Sequence, residues 1–184
     1  MATVWKILGM LPWGKILEFI LGRFSGKDSV KDSLEKSTSS IQLNNDWLEI
    51  AKKEIGVKEV PGSGNNDRIL QYHRATSLKA TQDSVPWCSS FVCWVMERAG
   101  YASTRSARAR SWEHWGEALT EPKEGAIAVL WRKNPQSGAG HVGWYCGEKD
   151  GKIKVLGGNQ SNSVKYSWYP KERVLSYRWP DMLE

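Results

Sequence analysis

The chain of 184 residues lacks the features that mark several large classes of protein. It contains three cysteines, an odd number that is also too small for a disulfide framework. No run of 18 residues is free of charged side chains, so the sequence predicts no standard transmembrane helix. It also has no internal repeat, no phosphate-binding loop and no dinucleotide-binding fingerprint. These absences exclude disulfide scaffolds, helical membrane-spanning proteins and the common nucleotide-binding folds.

The composition is that of a globular protein with a modest positive charge. Apolar residues make up 40% of the chain and charged residues 25%. The 26 basic and 20 acidic side chains leave a net charge of +6, which favours polyanionic partners such as anionic lipid or cell-wall polymer. This surplus is spread along the chain without a basic tail, so we expect no nucleic-acid partner.

The sequence divides into three segments. Residues 1–24 are apolar and are predicted to form an N-terminal helical segment, although charged residues and Pro12 interrupt it. They fit a helix that contacts a membrane surface and, equally, a helix that packs on its own domain or on a partner. They show no clear signal peptide, because no continuous apolar region precedes a small-residue cleavage site. Residues 25–45 are polar, as in a linker or an exposed helix, and 46–184 have the pattern of one compact domain.

Within the compact domain, predicted helices come before predicted strands. Pro86 is suited to the first position of a helix, and Gly100 is suited to end that helix. The order predicts an α+β fold in which helices pack on a central antiparallel sheet of about five strands. Helices are predicted at 46–55, 67–74, 86–99 and 107–115, and strands at 125–132, 142–147, 152–156, 163–169 and 173–179.

Cys88 is the candidate nucleophile. It falls in the first turn of the helix predicted after Pro86, where the positive end of the helix dipole favours a thiolate. Cys93 lies five residues further on, on another face of the helix, and is interpreted as part of the core. Cys146 lies in an alternating strand pattern and is also interpreted as structural.

His141 is the candidate base for this thiol. It stands at the start of a predicted strand, after the loop SGAG, whereas His73 and His114 lie in helical, partly polar sequence. Asn159, on the next strand, could accept the Nδ1–H of His141 and fix its tautomer. Gln160 is the competitor for this position, although it would point to the opposite side of a continuing strand. Gly157 and Gly158 would let the backbone pass close to the site.

Other kinds of site have weaker support. The cysteines and His141 lack the short paired spacings of a zinc site, and no serine-nucleophile motif is present. No acidic loop has the ligand spacing of a calcium site, so we expect no cofactor. Gln82 and Tyr72 are candidates for a second oxyanion donor. Four arginines, which are Arg98, Arg105, Arg108 and Arg110, form a basic cluster that fits a solvated surface or contact with carboxylates and anionic wall polymer.

Several stretches together resemble a known family. They are WCSSFVCWVMERAGY at 87–101, GAIAVLW at 125–131, GHVGWYCGE at 140–148 and VLGGNQSNSV at 155–164, with an upstream stretch at 51–73. They resemble the NlpC/CHAP class of papain-like cysteine peptidases and amidases, especially small phage-associated members that cleave peptidoglycan. The resemblance covers about residues 46–180 and not the first 45.

The resemblance implies a papain-like fold with the nucleophile at a helix N-terminus. It implies that Cys88 is the nucleophile, that His141 is the base and that Asn159 orients the histidine. Three positions depart from the pattern of many members. Trp87 stands where an Asp often precedes the cysteine, Ala126 where an Asp often opens the first strand, and Gly157 where some members carry Glu two residues before the Asn.

The implied function is peptidoglycan hydrolysis through a cysteine thioester. The bond cut would be an amide of the stem peptide, as in an endopeptidase, or the sugar–peptide junction, as in an amidase. The resemblance favours a phage lytic enzyme of the endolysin kind that acts in the periplasm or cell wall. The alternative is a cysteine amidase or acyltransferase effector with a non-wall substrate, and an inactive binding module is a third possibility.

Overall fold

The computed structural model describes residues 46–181, so the predictions for residues 1–24 and 25–45 lie outside the described part. The described chain contains three α-helices and six strands, with two short 3₁₀ turns at Ala109–His114 and Lys171–Arg173. No helix among these residues is long and apolar enough to cross a membrane. The helices are α1 (Asp46–Lys53), α2 (Asp67–Arg74) and α3 (Cys88–Arg98), and the strands are β1 (Glu117–Leu119), β2 (Ile127–Trp131), β3 (Gly140–Lys149), β4 (Lys152–Gly157), β5 (Lys165–Pro170) and β6 (Val174–Trp179).

The helices form where capping residues and apolar faces coincide. Asn66 caps α2 by accepting the Arg68 backbone N–H at 2.9 Å, and α2 then buries Ile69 and Tyr72. In the helix α3 each residue from Cys88 to Met96 is buried, including the polar Ser89 and Ser90. A helix of that kind belongs at the centre of the core, where α1, α2 and the sheet cover it.

Two of the predicted helices differ from those in the structure. The third begins at Cys88 rather than at Pro86, with Trp87 as its N-cap, so Cys88 is the first helical residue. The predicted helix at 107–115 is instead the 3₁₀ turn Ala109–His114. The Ser111 hydroxyl donates to the Arg108 carbonyl at 2.7 Å, a local bond that competes with regular helix formation.

The six strands form one antiparallel sheet in the order β1-β6-β2-β3-β4-β5. The prediction of helices packed on an antiparallel sheet is therefore confirmed, with one strand more than the sequence indicated. The additional strand, β1, has three residues and pairs with β6, with Leu119 opposite Tyr177. It is too short to show a period-2 pattern.

The sheet has apolar side chains on both faces. On one face, Ile127 and Val129 of β2 pack with α3 and Trp144 in the main core. On the other face, a smaller cluster contains Leu130, Ile153 and Tyr177. Burial on both faces fixes β2 and β3 firmly, so the residues at the beginning of β3 have a defined position against α3.

Candidate active site

Cys88 begins α3 and lies against the start of β3. The side chain is 7% exposed, and the backbone N–H groups of Val142 and Ser89 face its sulfur. Burial nevertheless raises the pKa of the Cys88 thiol, because loss of water penalises the thiolate more than these N–H groups stabilise it. The helix N-terminus alone predicted a lowered pKa, and that expectation was wrong for this buried position.

His141 is the second residue of β3 and directly precedes Val142. The structure therefore brings Cys88 and His141 into one neighbourhood, through contact of the sulfur with the Val142 N–H. The imidazole is buried at 5% exposure, and burial lowers its pKa to about 4. The side-chain contact with Gln160 opposes this shift, whereas the charges of Arg132 and Arg173 add to it. The free protein thus favours a neutral thiol beside a neutral imidazole.

The Gln160 side chain holds His141. Its amide nitrogen faces three backbone carbonyls, those of Val155, Gly157 and Lys165, so its oxygen points the other way. That oxygen accepts the Tyr169 hydroxyl at 2.8 Å and lies 3.3 Å from Nε2 of His141. Because the amide oxygen is only an acceptor, Nε2 must carry the proton. The tautomer is thereby fixed, and Nδ1 keeps its lone pair.

Asn159 does not make the contact with His141 that the sequence suggested. Its backbone has a φ of 55°, a left-handed conformation that Asn tolerates, because β4 has ended at Gly157. The Asn159 amide is oriented so that both its oxygen and its nitrogen form hydrogen bonds. The oxygen accepts the backbone N–H of Trp87 at 3.1 Å, and the nitrogen donates to the Glu59 carboxylate at 3.3 Å. The contact uses Gln160 and Nε2 instead of Asn159 and Nδ1, because strand alternation does not continue past Gly157.

Gly157 explains how Gln160 reaches the imidazole. A Cβ atom at this position would lie 3.3 Å from Nε2 of His141 and 3.4 Å from the Gln160 amide carbon. Any larger side chain at residue 157 would occupy the space that the Gln160 amide fills. Gly157 stands where some family members carry Glu, and in this chain Gln160 is the residue beside the histidine.

Glu59 also belongs to the site, although the sequence did not indicate it. Its carboxylate accepts the Trp87 indole N–H at 2.9 Å, and its backbone N–H donates to the Asn162 carbonyl at 2.9 Å. Glu59 thus connects the N-cap of α3 to the turn that carries Asn159 and Gln160. The pairing spans long sequence separations, and no local pattern around Glu59 indicated it.

The other residues considered from the sequence lie in the core or on the surface. The Tyr72 hydroxyl donates to the buried Glu54 carboxylate at 2.5 Å, and its ring packs against Trp87 and Phe91 in the core. The Gln82 side chain is exposed. Cys93 is fully buried, with its sulfur 3.8 Å from the Thr104 hydroxyl.

The predicted arginine cluster separates into different environments. Arg98 lies over the Trp94 ring at 4.4 Å, Arg105 pairs with Glu97 at 3.2 Å, and Arg110 pairs with Glu113. Arg108 instead lines an open cleft of about 690 Å³ that runs beside the site. Among residues 46–181, no three His, Cys, Asp or Glu side chains are grouped so that they could hold a metal ion.

The comparison with known families matches this part of the chain. Residues 80–159 match the family model of the CHAP domain. The match supports a CHAP-type peptidase or amidase in this part of the chain. Members of the CHAP family are generally hydrolases. No curated protein matches the chain.

The matched range contains α3 and β1 to β4, and with them Cys88, His141 and Asn159. It ends one residue before Gln160, and it leaves out Glu59 and Tyr169. The CHAP domain suggests peptidoglycan as the substrate. The contacts that orient His141 therefore come partly from segments outside the matched range.

Proposed function

We propose that this CHAP-domain protein is a cysteine hydrolase that cleaves an amide bond in bacterial peptidoglycan, with Cys88 as nucleophile and His141 as base. The observation that carries the proposal is the contact of the Cys88 sulfur with the backbone beside His141. A nucleophile next to a base, with the base held by a third group, is the arrangement needed for covalent amide hydrolysis.

The first half of the reaction forms a thioester. Nδ1 of His141 takes the Cys88 proton as the sulfur attacks the carbonyl carbon of the amide. The backbone N–H of Cys88, at the start of α3, donates to the oxygen that becomes negative. The imidazolium then gives its proton to the leaving amine, the C–N bond breaks, and the acyl group remains on sulfur.

The second half releases the acyl group. Nδ1 of His141 takes a proton from water as the water oxygen attacks the thioester carbonyl. The C–S bond breaks, the sulfur regains a proton from the imidazolium, and a carboxylic acid is released. The neutral state of both groups in the free protein suits this cycle, since the proton moves only when the carbonyl is attacked.

Gln160 and Tyr169 are positioning residues in this proposal. Gln160 keeps the proton on Nε2, and the Tyr169 hydroxyl occupies the second acceptor site of the Gln160 oxygen. The Tyr169 ring also lies 5.3 Å from the imidazole ring, which limits rotation of His141. Asn159 acts further from the imidazole, through its hydrogen bonds with Glu59 and with Trp87, the N-cap of α3.

We also propose a phage lytic setting, with the enzyme acting on the cell wall or in the periplasm. The support is the resemblance of the stretches at 87–101 and 155–164 to small phage-associated members. The stem-peptide bonds and the sugar–peptide junction are both amides, and the same pair of residues serves either.

The test is digestion of purified Gram-negative sacculi by the wild type and by Cys88→Ala, with soluble fragments identified by mass spectrometry. We expect fragments from the wild type alone, and their masses will distinguish an endopeptidase from an amidase. Lack of fragments from folded wild type, with Cys88 still alkylated at high pH, would contradict the wall substrate and favour a non-wall amide.

A further inference from the structure

The cleft beside the site adjoins both proposed reacting residues. Its lining includes Pro86, two residues before Cys88, and Gly140, directly before His141. Its volume of about 690 Å³ lies within the usual range for pockets that bind small molecules and peptide segments. A substrate bound over Cys88 would extend into this cleft.

The cleft is lined by positively charged side chains, and no acidic residue in the described part of its lining neutralises them. Its basic lining residues are Arg108, Arg132, Lys133 and Arg173, and its lining contains no acidic residue of the described chain. Within residues 46–181, Arg108, Arg132 and Lys133 have no ion pair, unlike Arg105 and Arg110 nearby. Arg132 also acts on the pKa of both Cys88 and His141, so its charge is felt at the reacting atoms.

Hydrogen bonds hold the backbone of the loop that carries two of these residues, and they hold the Arg173 side chain. Arg132 and Lys133 lie in the loop between β2 and β3, where the Arg132 N–H donates to the Ala139 carbonyl at 2.9 Å and the Ser137 hydroxyl donates to the Arg132 carbonyl at 2.6 Å. The Arg173 guanidinium donates twice to the Trp131 carbonyl, at 3.0 and 3.2 Å. The Arg173 cation therefore loses little freedom when an anion binds.

We propose that this basic cleft binds a free carboxylate of the substrate peptide, close to the amide bond that is cleaved. The inference rests on the proposed function and adds the feature that selects the substrate. Guanidinium groups match the planar carboxylate, and among residues 46–181 none of the three arginines in the cleft, Arg108, Arg132 and Arg173, forms an ion pair with a protein carboxylate. The position beside Cys88 favours a carboxylate of the peptide being cut over the phosphates of a separate wall polymer.

The experiment uses two synthetic peptides with the sequence identified from the sacculus fragments. In one peptide the carboxylate close to the cleaved amide bond is the free acid, and in the other peptide it is replaced by the carboxamide. We expect the wild type to cleave the acid at least about tenfold faster in kcat/KM, a discrimination typical of a charged hydrogen-bonded contact. In Arg132→Gln and in Lys133→Gln, the preference for the acid should fall to about threefold or less, mainly through a higher KM for the acid peptide.

Lys53→Gln is the matched control, because Lys53 is an exposed lysine at the end of α1 and does not line the cleft. It should keep the preference of the wild type. Equal cleavage of both peptides by the wild type would overturn the carboxylate site while leaving the proposed hydrolase in place. Lack of fragments from sacculi treated with the folded wild type would instead overturn the proposed function itself. Stronger inhibition of acid cleavage by inorganic phosphate than by acetate would also overturn the carboxylate assignment.

Discussion

The amide oxygen of Gln160 lies 3.3 Å from Nε2 of His141, and the same oxygen accepts the Tyr169 hydroxyl at 2.8 Å. Since three backbone carbonyls hold the other end of the amide, the orientation of Gln160 does not depend on His141. A side chain fixed independently can impose one tautomer on the imidazole, which leaves Nδ1 as the base.

Gln160→Ala should lower kcat by about 10- to 100-fold, the usual effect of removing a group that orients a histidine. The variant should also show a mixture of imidazole tautomers, measured from the ¹⁵N chemical shifts of His141. A purely structural role for Gln160 would lower stability without changing the tautomer.

The matched variant is Asn159→Gly, which accepts the φ of 55° and removes only the side-chain contacts with Trp87 and Glu59. It should keep kcat within about threefold of the wild type. If Asn159→Gly lost as much activity as Gln160→Ala, the assignment of the orienting role to Gln160 would be wrong.

The rate at which iodoacetamide alkylates Cys88 should rise at a higher pH than the rate for a free thiol. Burial raises the pKa of Cys88, so the rate should remain low at neutral pH and rise only above the ordinary range of a free thiol. Peptide mapping after a pulse of reagent at each pH gives the rate at each cysteine. A fast reaction of Cys88 that is already constant at pH 6 would contradict the neutral thiol.

Acid should destabilise the folded protein before its carboxylates titrate. Burial lowers the pKa of His141 from 6.5 to about 4 and also lowers that of His73, so below pH 6.5 the unfolded state binds more protons. Stability is therefore complete above pH 6.5 and is lost as the pH falls towards 4. His141 alone should contribute a loss of about 2 kcal/mol between pH 7.5 and 5.

Urea unfolding at a series of pH values measures this dependence. His141→Gln removes one of the two buried imidazoles, so its free energy of unfolding should change less between pH 7.5 and 5 than that of the wild type. An identical slope in the variant would mean that His141 is not a buried neutral group.

Gly158→Ala should disturb the packing of α3 against the turn after β4. A Cβ atom there would lie 2.6 Å from the Trp87 ring and 2.8 Å from the Phe91 Cβ. We expect a loss of about 1–3 kcal/mol in the free energy of unfolding, as for other overpacked cores, measured by urea denaturation. Gly151→Ala is a useful comparison, since open space surrounds Gly151 and only its φ of 68° is unfavourable. A Gly158→Ala variant as stable as the wild type would show that the turn can move away from Trp87.

The sequence predicted those parts of the fold that depend on local chemistry. The bounds of α2 follow from its Asn66 cap and its apolar spacing. Asp150 and Gly151 lie between the strands predicted at 142–147 and 152–156, and both have the positive φ that a tight turn there requires. The positions of Cys88 and His141 were predicted in the same way, because each stands at the beginning of a predictable element, and their catalytic roles stay predictions.

The rest of the site depends on backbone turns and distant contacts. Asn159, Ser161 and Asn162 all have positive φ, and the predicted end of the strand at residue 156 did not indicate how the turn after it would orient their side chains. That turn decides whether Asn159 or Gln160 reaches His141. Glu59 and Tyr169 reach the site only through the pairing of separate segments, which periodicity cannot reveal.

The proposed role of Cys88 is tested most directly by acid-quenched digests of sacculi with the wild type, Cys88→Ser and Cys88→Ala. An oxygen ester hydrolyses more slowly than a thioester at such a site, so Cys88→Ser should accumulate the acyl group. We predict a wall-peptide mass adduct on the tryptic peptide that contains residue 88 in Cys88→Ser, together with fragment release by the wild type and none by Cys88→Ala. Fragment release by Cys88→Ala at the wild-type rate would contradict Cys88 as the nucleophile.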